Sequence, residues 1–545
     1  MIALALLAPS AAACGGFFCN NVPVDQAGED IVFSVDADKQ EVTVHVQIAY
    51  EGDAEDFAWI VPVPEAPELV LSSDRMFREL SWRTAPQFQL EHRERDQCEG
   101  GINSGGYAEV DGAASSSTPS AEDGVEVVAE QRVGPYETVV LLADTSAELL
   151  TWLQNNDYIL PDALDPVLAP YVAQGSHFVA LRLAKTDSVG QLPPLAMTYP
   201  GTALSIPIQL TSIAAADDMR LGVYILGESR AVPESYLHVQ VNELAVDWFS
   251  WWDPKWEQAI TIAANEAGGH AFATDFSGSS GLMDKVLYRP GQYDIPRLAA
   301  AADPYAFFDE LLTQGFVGEP ALLALFRTFL PLPAEAVAAG IDEQSFYNNL
   351  SAFSKYVDPI PFDAAAFAAA IDEQIVAPLR LAQTTFYRYP HLTRLTSSVS
   401  PEEMTVDPTF VFNADMAQDV PLQHNAVLEY LCGAGGDANT SERRLVLSDG
   451  RAYPLPSQQW FWDRGITEHE YLLDNVTTYA LVIEATSDSG EPELLFDYRD
   501  EAAAEAEALF DELGQRACAG CSSGTASGGA VALLMLLGLA RRRRS

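Results

Sequence analysis

The sequence predicts an α+β fold, and three observations carry the prediction. The front of the chain alternates apolar and polar residues over short runs, as in DIVFSVD at 30–36 and EVTVHVQIAY at 41–50. Between 288 and 387 apolar residues recur at three- and four-residue spacing, with Pro and Gly between the repeats. From 388 onward short strand-like runs return. Period two buries one face of a strand and period 3.6 one stripe of a helix. The architecture expected is a β-rich N-terminal body with helical insertions (14–287), an all-helical middle segment (288–387) and a β-containing C-terminal part (388–515).

The turn DADKQ between the first two runs makes them a hairpin. FAWIVPV at 57–63 reads as a third strand, ended by the prolines of VPVPEAP, and 74–81 as a short helix. Residues 99–123 are rich in Gly, Ser, Ala and acids, with little to bury, and read as a flexible surface loop. Strands are expected at 125–133, 137–142, 177–183, 219–226 and 237–241, and helices at 146–155 and 164–173, the latter with an internal Pro. The middle segment reads as helices at 305–313, 319–329, 334–339, 342–355 and 363–381. Strands at 404–413, 443–447 and 479–485 precede a closing helix rich in Ala and Glu at 500–514.

A chain of 545 residues with 48% hydrophobic content can bury large cores. Length alone suggests about two to four domains. Acidic residues outnumber basic ones 78 to 30, for a formal charge of -48. Such a surface cannot neutralise a run of phosphates, so nucleic acid is excluded as a partner. It also repels anionic lipid. The charge reads as adaptation to the surroundings, since salt screens the self-repulsion of an acidic exterior.

Both ends read as export signals. Residues 1–13 (MIALALLAPSAAA) are apolar and finish in small residues, which fits a signal peptide cleaved between Ala13 and Cys14. The tail, 516–545, holds Cys521, the run SSGTAS, an apolar segment at 528–540 and the cluster Arg541, Arg542, Arg543 and Arg544. That apolar segment falls short of the ~20 residues that span a bilayer comfortably. It contacts the membrane either as a processing and anchoring signal or as a single-pass anchor whose arginines stay inside.

Six cysteines are present, and an even number in the exported body, Cys14, Cys19, Cys98 and Cys432, suggests disulfides whose pairing stays open. CAGC at 518–521 lacks the second pair a zinc site requires.

Several stretches carry a family resemblance. CGGFFC at 14–19, PVDQAGEDIVFSVD at 23–36, VQIAYEGDAEDFAWIVPVP at 46–64, ANEAGGHAFATDF at 264–276 and LTRLTSSVSPEEMTVDPTFVFN at 392–413 resemble the bacterial family of domain of unknown function 2330. The tail is similar to the Cys, apolar segment and Arg cluster that act as sorting signals on exported myxobacterial proteins. That likeness implies a processing protease as partner and Cys521 as the residue processed, with Cys518 the competing candidate. The family resemblance implies no activity.

Catalytic motifs are scarce. HEYLL at 469–473 has half of a zinc-protease helix motif, with Leu473 where the second His belongs. No phosphate loop or dinucleotide-binding glycine pattern occurs, so no cofactor or metal is implied. In NEAGGHAFATDFSG, at 265–278, Glu266, His270 and Asp275 are candidates for general acid–base work. A glycine-rich turn into a buried strand explains the same residues. In DWFSWWDPKW, Trp248, Trp251, Trp252 and Trp256 offer either a sugar-stacking surface or a core cluster. The expectation is an exported, cell-surface-anchored and non-enzymatic envelope, adhesion or binding protein with an unidentified extracellular ligand. The alternatives are a secreted hydrolase acting on peptide or glycan through Glu266 and Asp275, and a carbohydrate-binding protein that uses the tryptophans.

Overall fold

Ile31, Val32 and Phe33 are consecutive and all buried, which a strand achieves only when both of its faces are covered. Ile31 and Phe33 enter one core and Val32 another. The computed structural model describes residues 17–18, 25–51, 58–94, 126–156, 158, 164–183, 192–316, 318–432, 437–475 and 480–519. In it this strand, Asp25–Asp36, lies inside a ten-stranded sheet.

The sheet runs from Glu493–Asp497 through Ala480–Ala485, Leu237–Val241, Ala271–Ser279, His391–Val399 and Ala215–Gly227 to Asp25–Asp36. It ends with Glu41–Glu51, Leu195–Pro200 and Glu68–Leu71. Two neighbour pairs are parallel, Ala215–Gly227 with Asp25–Asp36 and Leu237–Val241 with Ala271–Ser279. The fold is therefore α+β around a mixed sheet. Strands from both sides of the helical segment complete it.

Alternation distributes the layers. Ile31, Phe33, Val223 and Leu395 face Val61, Val140, Val179 and Leu181 of a five-stranded sheet. The strand Ala58–Val63 sits in that second sheet, apart from the hairpin before it. Val32, Tyr224, Leu226 and Leu392, on the opposite face, meet the middle helices. The helices Ser146–Asn155 and Leu164–Ala173 cover the outside of the five-stranded sheet.

Capping explains where the middle helices start. Asp303, Asp342 and Asp363 each accept a hydrogen bond from the backbone N–H three residues on. Gly315 ends the helix Pro304–Gln314 with φ 80°. The strand expected at 404–413 is confined to Thr409–Phe412, and two of the middle helices differ from the sequence reading. The helix expected at 342–355 breaks at Asn349 into Glu343–Asn348, the 3-10 turn Leu350–Phe353 and Ser354–Val357. The break lets Phe346, Leu350 and Val357 all reach the core. The helix expected to stop near 381 runs on to Arg388, because a π-turn at Asp372–Val376 widens the spiral just before Pro378.

A four-stranded sheet completes the C-terminal part: Ala452–Leu455, Arg443–Leu447, Gln423–Tyr430 and Gln87–Glu94. Cys432, just past its third strand, is 2% exposed and disulfide-bonded. Cys14, Cys19 and Cys98 lie outside the described residues, as do residues 1–13, the 99–123 segment, Cys521, the apolar segment 528–540 and Arg541 to Arg544. Among the described residues no helix is long and apolar enough to cross a membrane.

Phe367 is fully buried at the hub of the helical core, with ring centroids 4.6 Å from Phe307, 4.9 Å from Phe329 and 5.4 Å from Phe326. Phe367→Ala should cost about 3–5 kcal/mol of stability, through lost transfer energy and the cavity left behind. Urea unfolding of the variant against the parent measures it.

Candidate functional site

The structure gives Glu266, His270 and Asp275 separate employments. Glu266 ends the helix Trp256–Glu266, and its Oε2 accepts the backbone N–H of Ala480 at 2.6 Å, fixing the helix to a neighbouring strand. His270 lies beyond Gly268 and Gly269, which have φ 82° and 80°, so the turn does need glycine. Its ring packs edge-on to Tyr236, and its Nε2 lies within hydrogen-bond reach of the Glu403 carbonyl and the Thr405 hydroxyl.

Asp275 is wholly inside. It pairs with Arg394 at 2.9 Å and accepts from Trp256 Nε1 at 2.9 Å and Thr396 Oγ1 at 2.6 Å. A carboxylate saturated in this way holds strands together. The tryptophans divide: Trp248 and Trp256 pack in the C-terminal core, whereas Trp251 and Trp252 are 50% and 69% exposed.

A different constellation surrounds a cleft of about 500 Å³ over the end of the large sheet. Its floor is a polar chain across three adjacent strands. His238 lies directly opposite Glu484 on one side and Phe272 on the other, so Thr274, two residues past Phe272, shares its face. His238 Nδ1 is 2.8 Å from Glu484 Oε1, and its Nε2 is 2.9 Å from Thr274 Oγ1. Arg230 Nη2 donates to the same hydroxyl at 3.1 Å. For a neutral imidazole this fixes the protons: Nδ1–H donates to Glu484, and the Thr274 hydroxyl donates to Nε2.

Arg230 is 6% exposed. Its Nη1 donates to the Ala417 carbonyl at 3.1 Å, and Nε has no hydrogen-bond partner. Among the described residues no carboxylate stands within ion-pair distance of it. Burial pushes its pKa down, against the pull of Glu484. Buried guanidinium groups are ordinarily paired, because taking an unpaired charge out of water is expensive.

The far wall carries a second His–carboxylate pair, His424 Nδ1 to Glu243 Oε1 at 2.7 Å. Beside it Arg451 bonds Asp449 at 2.7 Å and Asn242 at 2.9 Å. His424 Nε2 and Arg451 Nη2 are buried without partners. Glu243, Asp449 and Glu484 are each engaged by a neighbouring side chain, and Glu484 acts on Arg230 only from beyond ion-pair distance. Among the described residues no group of three or more His, Cys, Asp or Glu is arranged to hold a metal ion.

None of these cleft residues stands out locally, since they come from segments as far apart as Arg230 and Glu484. The trace they leave in sequence is a polar residue inside an otherwise buried strand, His238 in LHVQV and Glu484 in ALVIEA.

Residues 8–280 match the family described as an uncharacterized protein conserved in bacteria (DUF2330). The chain belongs to that family. The part of this DUF2330 chain that matches includes Arg230, His238 and Thr274 and stops short of His424, Arg451 and Glu484. No curated protein and no solved structure matches it.

The structural role of Asp275 has a direct test. Asp275→Asn leaves Arg394 buried and uncompensated, so unfolding free energy should fall by about 3–5 kcal/mol. Stability unchanged on chemical denaturation would return Asp275 to the list of functional candidates.

Proposed function

We propose that this protein is exported, anchored at the cell surface through its tail, and binds a small ligand with a carboxylate or phosphate group in the cleft at Arg230. One observation carries the binding site: a buried guanidinium lines a cleft of about 500 Å³ with no carboxylate against it. An anionic ligand would supply the missing countercharge through charge-assisted hydrogen bonds. His424 and Arg451, on the opposite wall, have nitrogens left to satisfy and suit further acceptors on the same ligand. Export and anchoring are supported by the apolar leader ending at Ala13 and by the Cys521, 528–540 and Arg541–Arg544 tail. The sugar-binding alternative retains only the exposed pair Trp251 and Trp252, and the hydrolase alternative loses Glu266 and Asp275 to structural roles.

Isothermal titration with inorganic phosphate and with succinate is expected to detect binding by at least one. Arg230→Gln should weaken that binding about 30-fold or more. The same change should leave the melting temperature nearly unaltered, since it removes an unpaired buried charge. Binding of neither anion, or equal binding by the variant, would refute the site.

Mass spectrometry of both mature ends, on protein from fractionated cells, tests export and anchoring. A form beginning near Cys14 and ending near Cys521 in the surface fraction is expected. An intact arginine cluster in the inner membrane would make the protein a single-pass membrane protein instead.

A further inference from the structure

Away from the cleft, a cavity of about 180 Å³ lies between the two large sheets. Most of its wall is aliphatic side chains from the facing strands, together with the rings of Phe33, Trp59, Tyr171 and Tyr199. The exposed Gln174 and Ala203 also line it and mark its way to solvent. Two carboxyl groups, Glu29 and Asp407, complete the lining, and no Lys, Arg or His belongs to it.

Glu29 breaks the pattern of its strand. Period two puts it on the same face as Ile31 and Phe33, pointing into an apolar core, and it is 7% exposed. Its hydrogen bond is from Gln26 Nε2 at 3.2 Å, itself a buried neutral amide. Asp407 is better satisfied, accepting from Tyr171 Oη at 2.9 Å and from the Gln209 N–H at 3.1 Å. A carboxyl at a core position without a cationic partner is costly, and retaining it points to a function outside packing.

We propose that this inter-sheet cavity is a binding site for a small organic ammonium ion, with Glu29 as its counter-charge and the aromatic rings around its apolar body. The two carboxyl groups repel anions. Rings in the wall favour a cation beyond what an aliphatic wall would. A cavity of 180 Å³ is close to those of about 150 Å³ that hold a single benzene-sized ring, which bounds the ligand. The protein's formal charge of -48 draws cations toward the surface.

Burial raises the Glu29 pKa to about 7, with a smaller push from Asp30 and an opposing pull from Gln26. Asp407, Tyr171 and Tyr199 share the cavity, and burial raises all three. A carboxyl raised by folding destabilises the fold progressively as pH climbs from its ordinary value of 4.5, reaching the full effect above about 7. An ammonium ligand favours the ionised form, so its binding releases a proton near neutrality and tightens as pH rises.

The test is calorimetric titration of the full mature chain with benzylammonium and with benzyl alcohol, a neutral analogue of similar shape. At about pH 8 benzylammonium should bind at least ~10-fold more tightly than at about pH 5.5, and the alcohol should show no such dependence. Glu29→Gln should weaken benzylammonium about 30-fold or more and leave the alcohol within about twofold. The glutamine variant should also melt higher than the parent above about pH 7, which shows that it folds. Equal affinity for the two compounds at pH 8, undiminished ammonium binding by the variant, or binding of neither compound overturns the proposal.

Discussion

Arg394 and Asp275 form an ion pair with almost no exposure, 6% and 0% for the two side chains, in the middle of the ten-stranded sheet. Burial this deep favours hydrogen bonds to the polar groups nearby, and those bonds organise the surroundings. Arg394 reaches the Ser81 carbonyl and so ties the helix Asp74–Thr84 to the sheet. Asp275 takes the indole N–H of Trp256 and fixes the start of the next helix, Trp256–Glu266. The guanidinium also lies 5.6 Å from the ring of Tyr224. Charge in a low-dielectric interior stabilises only where it has well-placed partners. One pair thereby locks together segments from 74–84, 256–276 and 394–396.

That lock frees the neighbouring strands for other work. The Thr274 side chain precedes Asp275 and points to the opposite face, where it joins His238 and Glu484 in the floor of the cleft. The bulge between Thr274 and Phe276 sits at this changeover, and bulges re-aim side chains in this way. Rigid strands supply the floor, and the loop around Ala417 and the turn at Asp449 supply the walls. A site with His238, Thr274 and Glu484 on strands and with Arg230 and its rim on connecting segments is held firmly yet has room to adapt.

The cleft and the inter-sheet cavity have opposite chemistry. In the cleft the Arg230 guanidinium has no carboxylate within ion-pair distance, and in the cavity the Glu29 carboxyl has no cation in the lining. Each is a violation of the rule that buried charge is paired, and each stands beside a space large enough for a ligand. Arg443 keeps the rule, paired with Glu468 at 2.9 Å. At these two sites consistency between sequence and packing gives way.

Much of the backbone was legible from the sequence because its signals are local. Alternation located Tyr136–Leu142, His177–Leu183 and Leu237–Val241, and caps and breakers located Pro304–Gln314 and Pro320–Phe329. The family likeness was legible in motifs from 14–19 to 264–276, inside the matched residues 8–280, whereas the stretch at 392–413 lies beyond them. Periodicity does not encode which strands become neighbours. Only the tertiary structure decided that strands before and after the helical segment complete one sheet, and only it separated Glu266, His270 and Asp275. Their closeness in sequence suggested chemistry, but strand geometry turned Asp275 into the core and left Glu266 bonded to a distant backbone amide. The cleft residues came together for the reverse reason. Arg230, His238, His424 and Glu484 lie in segments whose pairing depends on long-range burial, and no local pattern records it.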